Sequence, residues 1–326
     1  MQNGSRLFIE RNNERNLLIV RLRVSQLALF TVAWLSLSSC FAYSQPAPAV
    51  PAQHQTIVFM TDFGHVDDSV PICKGVMLGI APELRIVDLT HDVTPFNILD
   101  AARFLAGTTP YYPPGTVFVA VVDPTVGSTR KALVAHSRRG QYFVLPDNGL
   151  LTFVEDQDGI DAAYQIQNPA WMIGSALSST FHGRDIFSPV GAHLARGDDP
   201  SQVGPALDVT SLVRLPVRKA ALDAHGISAT VIGTDGPFGN LVTNITREDF
   251  AKLGYALGDT VKFTLAGEPM AVPFVKTFSD VPIGRPLFYI DSRGRLGLAV
   301  NQGSFERRFS VKVPATLDIQ SKAQPR

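Results

Sequence analysis

The sequence predicts an α/β fold in two parts: an N-terminal α/β domain on a mainly parallel central sheet, and a smaller, mostly β C-terminal domain. Three observations lead there. From Thr56 onward, short apolar runs alternate with helical patterns, the signature of βαβ units. The run over 116–122 is continuously apolar, as suits a strand covered on both faces. Beyond 199–218 that rhythm fades, and short strands follow one another between turns. A chain of 326 residues with 45% hydrophobic content can bury the core such a fold requires.

Residues 1–53 stand outside this fold. Arg21 and Arg23 precede an apolar run over 27–37 that is short for a bilayer span and is flanked like a secretory signal. Two endings compete. Leu37-Ser38-Ser39-Cys40 resembles a bacterial lipobox, with lipid on Cys40, whereas Cys40-Phe41-Ala42 and Ala42-Tyr43-Ser44 offer ordinary cleavage sites; an uncleaved anchor is the third reading. The Pro/Ala-rich 44–53 segment then serves as a tether. The expectation is export to the periplasm, with membrane attachment only through that N-terminus.

Residues 54–208 carry the α/β domain and 209–326 the β-rich one. A first strand over 57–60 ends in Thr61-Asp62-Phe63-Gly64. In the helix that follows, Ser69 is the expected cap, Pro71 sits in the first turn, and Ile72, Cys73, Val76, Met77 and Ile80 form the apolar face. Ala81-Pro82 stops it. A strand over 85–89, a helix over 98–105 and the strand over 116–122 complete the first units. Asp62 and Asp123 therefore end two strands of one parallel sheet, where loops converge into a crevice. Further strands are expected over 132–135 and 142–145, with the turn Pro146-Asp147-Asn148-Gly149 leading into a helical piece over 150–154. A helix over 186–194 has Pro189 near its start and Gly197 at its end. The C-terminal strands are expected over 229–232, 241–243, 260–265, 286–290, 296–300 and 309–313, interrupted by a helix over 247–253.

Composition narrows the function. Lys+Arg and Asp+Glu both number 29, so there is no long-range attraction for nucleic acid or anionic membrane, and a small molecule is the default ligand. Two cysteines, Cys40 and Cys73, make no disulfide framework, and Cys73 reads as a buried free thiol. The glycine-rich phosphate loops and the G-x-S-x-G elbow are missing. His65, Asp67, Asp68, His91 and Asp92 form the best metal candidate, but such residues at strand ends more often cap helices or bond backbone. His182 sits in a small-residue loop beside Arg184 and Asp185, where structural and catalytic roles are equally open. The loop from Asp123 to Arg130 is where chemistry is best placed: an acid at a strand's carboxyl end, with an arginine able to fold back and hold it ionised.

Several blocks in order, TDFGHVDDSV, IVDLTHDVTPF, VVDPTVGSTRK, LPDNGLL, STFHGRDIFSPVGAHLA, DGPFGN and SRGRLGLAVNQGS, resemble the S-adenosyl-L-methionine (SAM) hydrolases, also called SAM hydroxide adenosyltransferases. These share their fold with the SAM-dependent fluorinase and chlorinase. The resemblance runs from about Thr56 to Val313. It implies a β-barrel-like C-terminal domain and a homotrimer with active sites between subunits. It implies that SAM is substrate, that no cofactor or metal is used, and that Asp123, Arg130 and His182 position and activate a water. Asp62 should hold the ribose hydroxyls, with Phe96 flanking the sugar. Asp67, Ser69, Asp235, Ser292 and Arg293 should receive the methionine end. Asn240 should bond adenine, Phe238 and Phe278 should pack around it, and backbone near Asn301 and Gln302 should complete the pocket.

The sequence departs from the halogenase pattern at the reacting corner. Asp123 stands where fluorinase-like enzymes carry tyrosine, His182-Gly183 replaces their Tyr-Ser, Val300 replaces an arginine, and no long insertion follows the strand after Arg130. The expected reaction is hydrolysis of SAM to adenosine and L-methionine by in-line attack of water on C5′. The alternatives are a SAM-dependent halogenase and an exported nucleoside- or SAM-binding protein without turnover.

Overall fold

The computed structural model describes residues 56–174 and 176–322. The expected export signal, the alternative lipidation at Cys40 and the tether lie outside the described residues. The first part of the chain runs β1 (Thr56–Thr61), α1 (Ser69–Ile80), β2 (Arg85–Thr90), α2 (Ile98–Thr108), β3 (Val117–Val121), β4 (Ala132–Ser137), β5 (Tyr142–Pro146), α3 (Thr152–Asp158), β6 (Ile160–Gln165) and α4 (Ser188–Arg196).

Six of these strands form one sheet in the order β2-β1-β3-β5-β4-β6. The pairs β1/β2, β1/β3 and β3/β5 are parallel, while β4 runs antiparallel to both β5 and β6. Alternate residues of each central strand enter different cores, because side chains alternate across a pleated sheet. Ile57, Phe59, Val117, Val119 and Val121 pack with Cys73 and Met77 of α1 and Val190 and Leu194 of α4. Val58, Met60, Phe118 and Ala120 pack on the opposite face with Ala101 and Leu105 of α2 and Val154 of α3. This two-sided burial explains why 117–122, after Thr116, contains no polar residue. Cys73 is the buried free thiol expected of it.

The C-terminal part contains β7 (Ala221–Leu222), β8 (Gly226–Asp235), β9 (Asn240–Thr246), α5 (Arg247–Ala251), β10 (Thr260–Leu265), β11 (Glu268–Pro273), β12 (Pro286–Ile290), β13 (Arg295–Val300), α6 (Phe305–Phe309) and β14 (Ala315–Gln320). Its strands pair antiparallel in the order β11-β10-β14-β8-β9-β13-β12, with β7 added beside β8. A bridge between Phe274 and Phe288 brings the two ends of that order together, so the sheet is nearly closed around its own core.

Three local expectations are corrected. Residues 309–313 form no strand: Ser304 accepts a hydrogen bond from the Arg307 N–H at 3.1 Å and caps α6, and the last strand comes later, at β14. Ser69 is the first residue of α1 rather than its cap, and its N–H donates to Asp67 Oδ1 at 3.0 Å. Strands β6, β7 and β11 are additional. β11 carries Pro269 and Pro273, which a strand tolerates at a sheet's margin, where no neighbour needs the missing N–H.

Candidate active site

The sheet order β2-β1-β3 changes direction at β1, so the loops leaving the carboxyl ends of β1 and β3 diverge and open a crevice between them. Asp62 follows β1 and Asp123 follows β3, as the sequence places them. Beyond Asp123 the chain turns twice, through the Val126 N–H bonding Asp123 O at 3.2 Å and the Ser128 N–H bonding Thr125 O at 3.0 Å. Gly127 sits at φ +79° between these turns, where a Cβ would fall 2.6 Å from the Ser179 carbonyl oxygen. Only glycine satisfies both demands.

That loop returns Arg130 onto Asp123. Arg130 Nε donates to Asp123 Oδ2 at 2.8 Å, and Nη2 donates to the same oxygen. Nη2 also lies 2.8 Å from His182 Nδ1. A guanidinium has no lone pair to offer, so Nδ1 must be the acceptor and the imidazole proton resides on Nε2. Asp123 and Arg130 are only 5% and 9% exposed, which strengthens their pairing relative to a surface ion pair. Phe187 adds an aromatic ring 5.4 Å from the Arg130 guanidinium. Burial, and then the Arg130 charge, pull His182 below the ordinary imidazole value, while Asp123 and Asp185 oppose the shift.

His182 is held just before a π-helical turn, Gly183–Phe187, that feeds α4. Such turns re-aim side chains within a helix and recur at functional sites. Gly183 lets the Phe63 ring pack close to this turn, since a Cβ would meet that ring at 2.9 Å. Asp185, 1% exposed at its side chain, accepts from the Ser178 N–H at 2.7 Å and ties the preceding loop to this turn.

Asp62, Phe96, Asp123 and His182 line a cavity of about 250 Å³, together with Phe63 and Phe181. Phe96 stands 74% exposed at φ +65°, and its N–H donates to Asp62 Oδ2 at 2.9 Å, which orients that carboxylate. A second cavity, of about 880 Å³, lies on the barrel and is lined by Asp235, Phe238, Asn240, Phe278, Tyr289, Ser292, Asn301 and Gln302 among others. The Asn301 amide donates to Val281 O at 2.7 Å, its N–H donates to Arg285 O at 3.0 Å and its carbonyl accepts from the Gly284 N–H at 2.8 Å, so Asn301 braces the pocket wall through side chain and backbone alike. The turn Gly236–Phe238 presents Phe238, and Gly239 follows at φ +66°, where a Cβ would fall 2.0 Å from Ser304 Oγ.

Four predicted residues line neither cavity: Arg130, which stands behind the lining Asp123 and His182, and three others. Asp67 and Ser69 are engaged with each other at the start of α1, and the Arg293 guanidinium lies against Gly107 of α2. The metal candidates do not converge either: His91 is buried, with Nδ1 2.9 Å from Thr61 Oγ1 and Nε2 facing Asp88 Oδ1 at 3.1 Å, off-line for a hydrogen bond, while His65 pairs with Asp92 at 3.5 Å. Among the described residues no three His, Cys, Asp or Glu side chains are grouped to hold an ion. Phe63, Phe181, Tyr289 and Arg103 were missed. The first two lie inside the blocks TDFGHVDDSV and STFHGRDIFSPVGAHLA and could have been read with them; Tyr289 and Arg103 carry no local signal.

A switch-point crevice with a guarded polar corner, joined to a barrel with an aromatic-lined cavity, defines a small-ligand protein of α/β-plus-barrel type. The chain belongs to the SAM hydroxide adenosyltransferase family: residues 57–204 match the model of its N-terminal domain and residues 229–318 that of its C-terminal domain. It is 40% identical over 248 residues to an (R)-S-adenosyl-L-methionine hydrolase of Salinispora arenicola, covering 76% of this chain and 90% of that protein. It is 33% identical over 296 residues to a fluorinase of Actinoplanes, covering 83% and 99%. A crystal structure of an uncharacterized conserved protein from Thermotoga maritima superposes with a TM-score of 0.77 at 38% identity, covering 81% of this chain and 99% of that one.

Proposed function

We propose that this protein hydrolyses SAM to adenosine and L-methionine by in-line attack of one water on C5′. The observation that carries the reading is the Arg130 guanidinium bridging Asp123 Oδ2 and His182 Nδ1 at the edge of the smaller cavity. Both Arg130 bonds to Asp123 fall on Oδ2, which leaves Oδ1 with only a 3.3 Å contact to Thr125 Oγ1. Oδ1 can therefore accept from a water. His182, with its proton on Nε2, can only donate, so Asp123 orients the water and is the group able to take its proton. The bond from water oxygen to C5′ forms as the C5′–S bond breaks, and the electron pair leaves with neutral methionine sulfur. That leaving group needs no acid. Holding the water in line supplies the effect that dominates such a displacement, about 7–11 kcal/mol for well-oriented pairs.

The same carboxylate opposes a halide at this corner, which favours hydrolysis over halogenation. Purified protein incubated with SAM, with and without chloride or fluoride, should release adenosine and methionine in equal amounts by chromatography. A halogenated nucleoside, or nucleoside binding with no methionine release, would refute the proposal.

A homotrimer with sites at its subunit interfaces belongs to this reading. The two cavities share no lining residue, and about 250 Å³ is small for a ligand of this size. SAM places its reacting carbon between adenine and methionine, so both surfaces must reach one molecule. A ring in which each copy offers its smaller cavity to the larger cavity of the next meets that need. Exposed Val66, Phe96, Phe238 and Ile283 are the side chains such an interface would cover. Export to the periplasm, from the leader-like 1–53, completes the proposal and is checked by cell fractionation.

A further inference from the structure

Arg103 occupies the middle of α2, yet its side chain is 0% exposed. Nη2 donates to Asp100 Oδ1 at 2.8 Å and to Thr234 O at 2.7 Å, and Nη1 donates to Asp235 Oδ1 at 3.5 Å. The guanidinium lies 4.4 Å from the Phe104 ring centroid, and Nε has no partner among the described residues. β8 leaves room for it: a Cβ on Gly233 would fall 2.3 Å from Nε. Burying a guanidinium is costly, and apolar residues of similar volume would join α2 to β8 at least as well. The arrangement therefore asks for a purpose beyond adhesion.

Its charges supply one. Asp100 and Asp235 flank a single Arg103, so the trio carries one net negative charge, and Asp235 is the member that lines the larger cavity. We propose that Arg103 is a positioning residue of the SAM site, holding the Asp235 carboxylate ionised and turned into the cavity to receive the ammonium of the methionine end. This rests on the SAM reading above. The groups facing Asp235 are Arg103 and Asp100 from α2, Arg293 and Asp291 from the turn between β12 and β13, and Tyr289 from β12. Burial pushes the Asp235 carboxyl up, and Arg103 is the largest influence opposing it.

The test measures KM for SAM and the inhibition constant of product adenosine through the acidic range, in wild type, Arg103→Lys and Asp100→Asn. Lysine has one compact ammonium and cannot bridge Asp100, the Thr234 carbonyl and Asp235 together. Arg103→Lys should raise KM for SAM about tenfold, leave adenosine inhibition within about twofold, and move the loss of SAM affinity to higher pH. Asp100→Asn should move that loss to lower pH, because the guanidinium then serves Asp235 alone. A merely structural role predicts that both variants weaken SAM and adenosine alike, with no displacement in pH; that result overturns the proposal. If Arg103→Lys does not fold, the sign of the Asp100→Asn displacement decides. Absence of SAM hydrolysis in wild type would sink the functional reading instead, and Asp235 titration by carboxyl NMR in wild type and Asp100→Asn would still show whether the trio sets its ionisation.

Discussion

Two side chains at the crevice are placed so that small chemical changes have distinct outcomes. Asp123→Asn keeps an oxygen for Arg130 but replaces the second one with an amide that cannot take a proton. His182→Ala removes the donor at Nε2. Each is expected to slow adenosine release by at least about tenfold, the lower edge of general acid–base contributions, while SAM still binds. Unchanged turnover in both would withdraw their roles. The pH dependence follows from the tautomer. Protonating His182 puts a hydrogen on Nδ1, which breaks its bond from Arg130 and sets two cations face to face. Because burial and Arg130 hold the pKa below the ordinary 6.5, activity should stay level through that value and fall only on further acidification. The folded state also binds fewer protons here than the unfolded chain, so this group's contribution to stability is full above 6.5 and is lost as pH falls through the lowered value. A pH–rate profile whose acid limb lies above 6.5 would contradict the assignment.

At the level of elements, the close approach of α4 to β3 fixes the π-helical turn that carries His182. Gly191 makes that approach possible: a Cβ there would fall 2.3 Å from Val119 Cγ2, with Val119 fully buried. Gly191→Ala should therefore destabilise the fold by about 1–3 kcal/mol, the usual cost of overpacking, and lower activity by shifting His182. Equal melting temperatures for variant and wild type would show that the contact relaxes. The same packing explains what could be read from the chain alone. β1 and β3 were legible because strands buried on both faces are apolar throughout, and their ends located Asp62 and Asp123. β14 escaped although Ala315, Leu317 and Ile319 alternate as a half-buried strand should, because Phe309, Val311 and Val313 just before them alternate equally well. Arg103 escaped because an arginine within a helical pattern reads as a solvated residue, and only the barrel packing against α2 buries it.

The arrangement of the whole molecule determines whether one chain can act alone. Asp62, Phe96, Asp123 and His182 belong to a cavity on the α/β part, and Asp235, Phe238 and Asn240 to one on the barrel. If each working site takes its first group from one copy and its second from the next, an Asp123→Asn chain and an Asn240→Ala chain are each impaired for a different half. Unfolded and refolded together in equal amounts, they assemble at random. A given site then draws an intact Asp123 from an Asn240→Ala copy half the time, and an intact Asn240 from an Asp123→Asn copy half the time. About a quarter of the sites become fully wild type, and activity should recover to about a quarter of that of the unmodified protein. Mixing without refolding should recover none while the assemblies stay intact. If each chain builds its site alone, no mixture can exceed the mean of the two variants, so the complementation experiment distinguishes a shared site from a private one without a structure of the assembly.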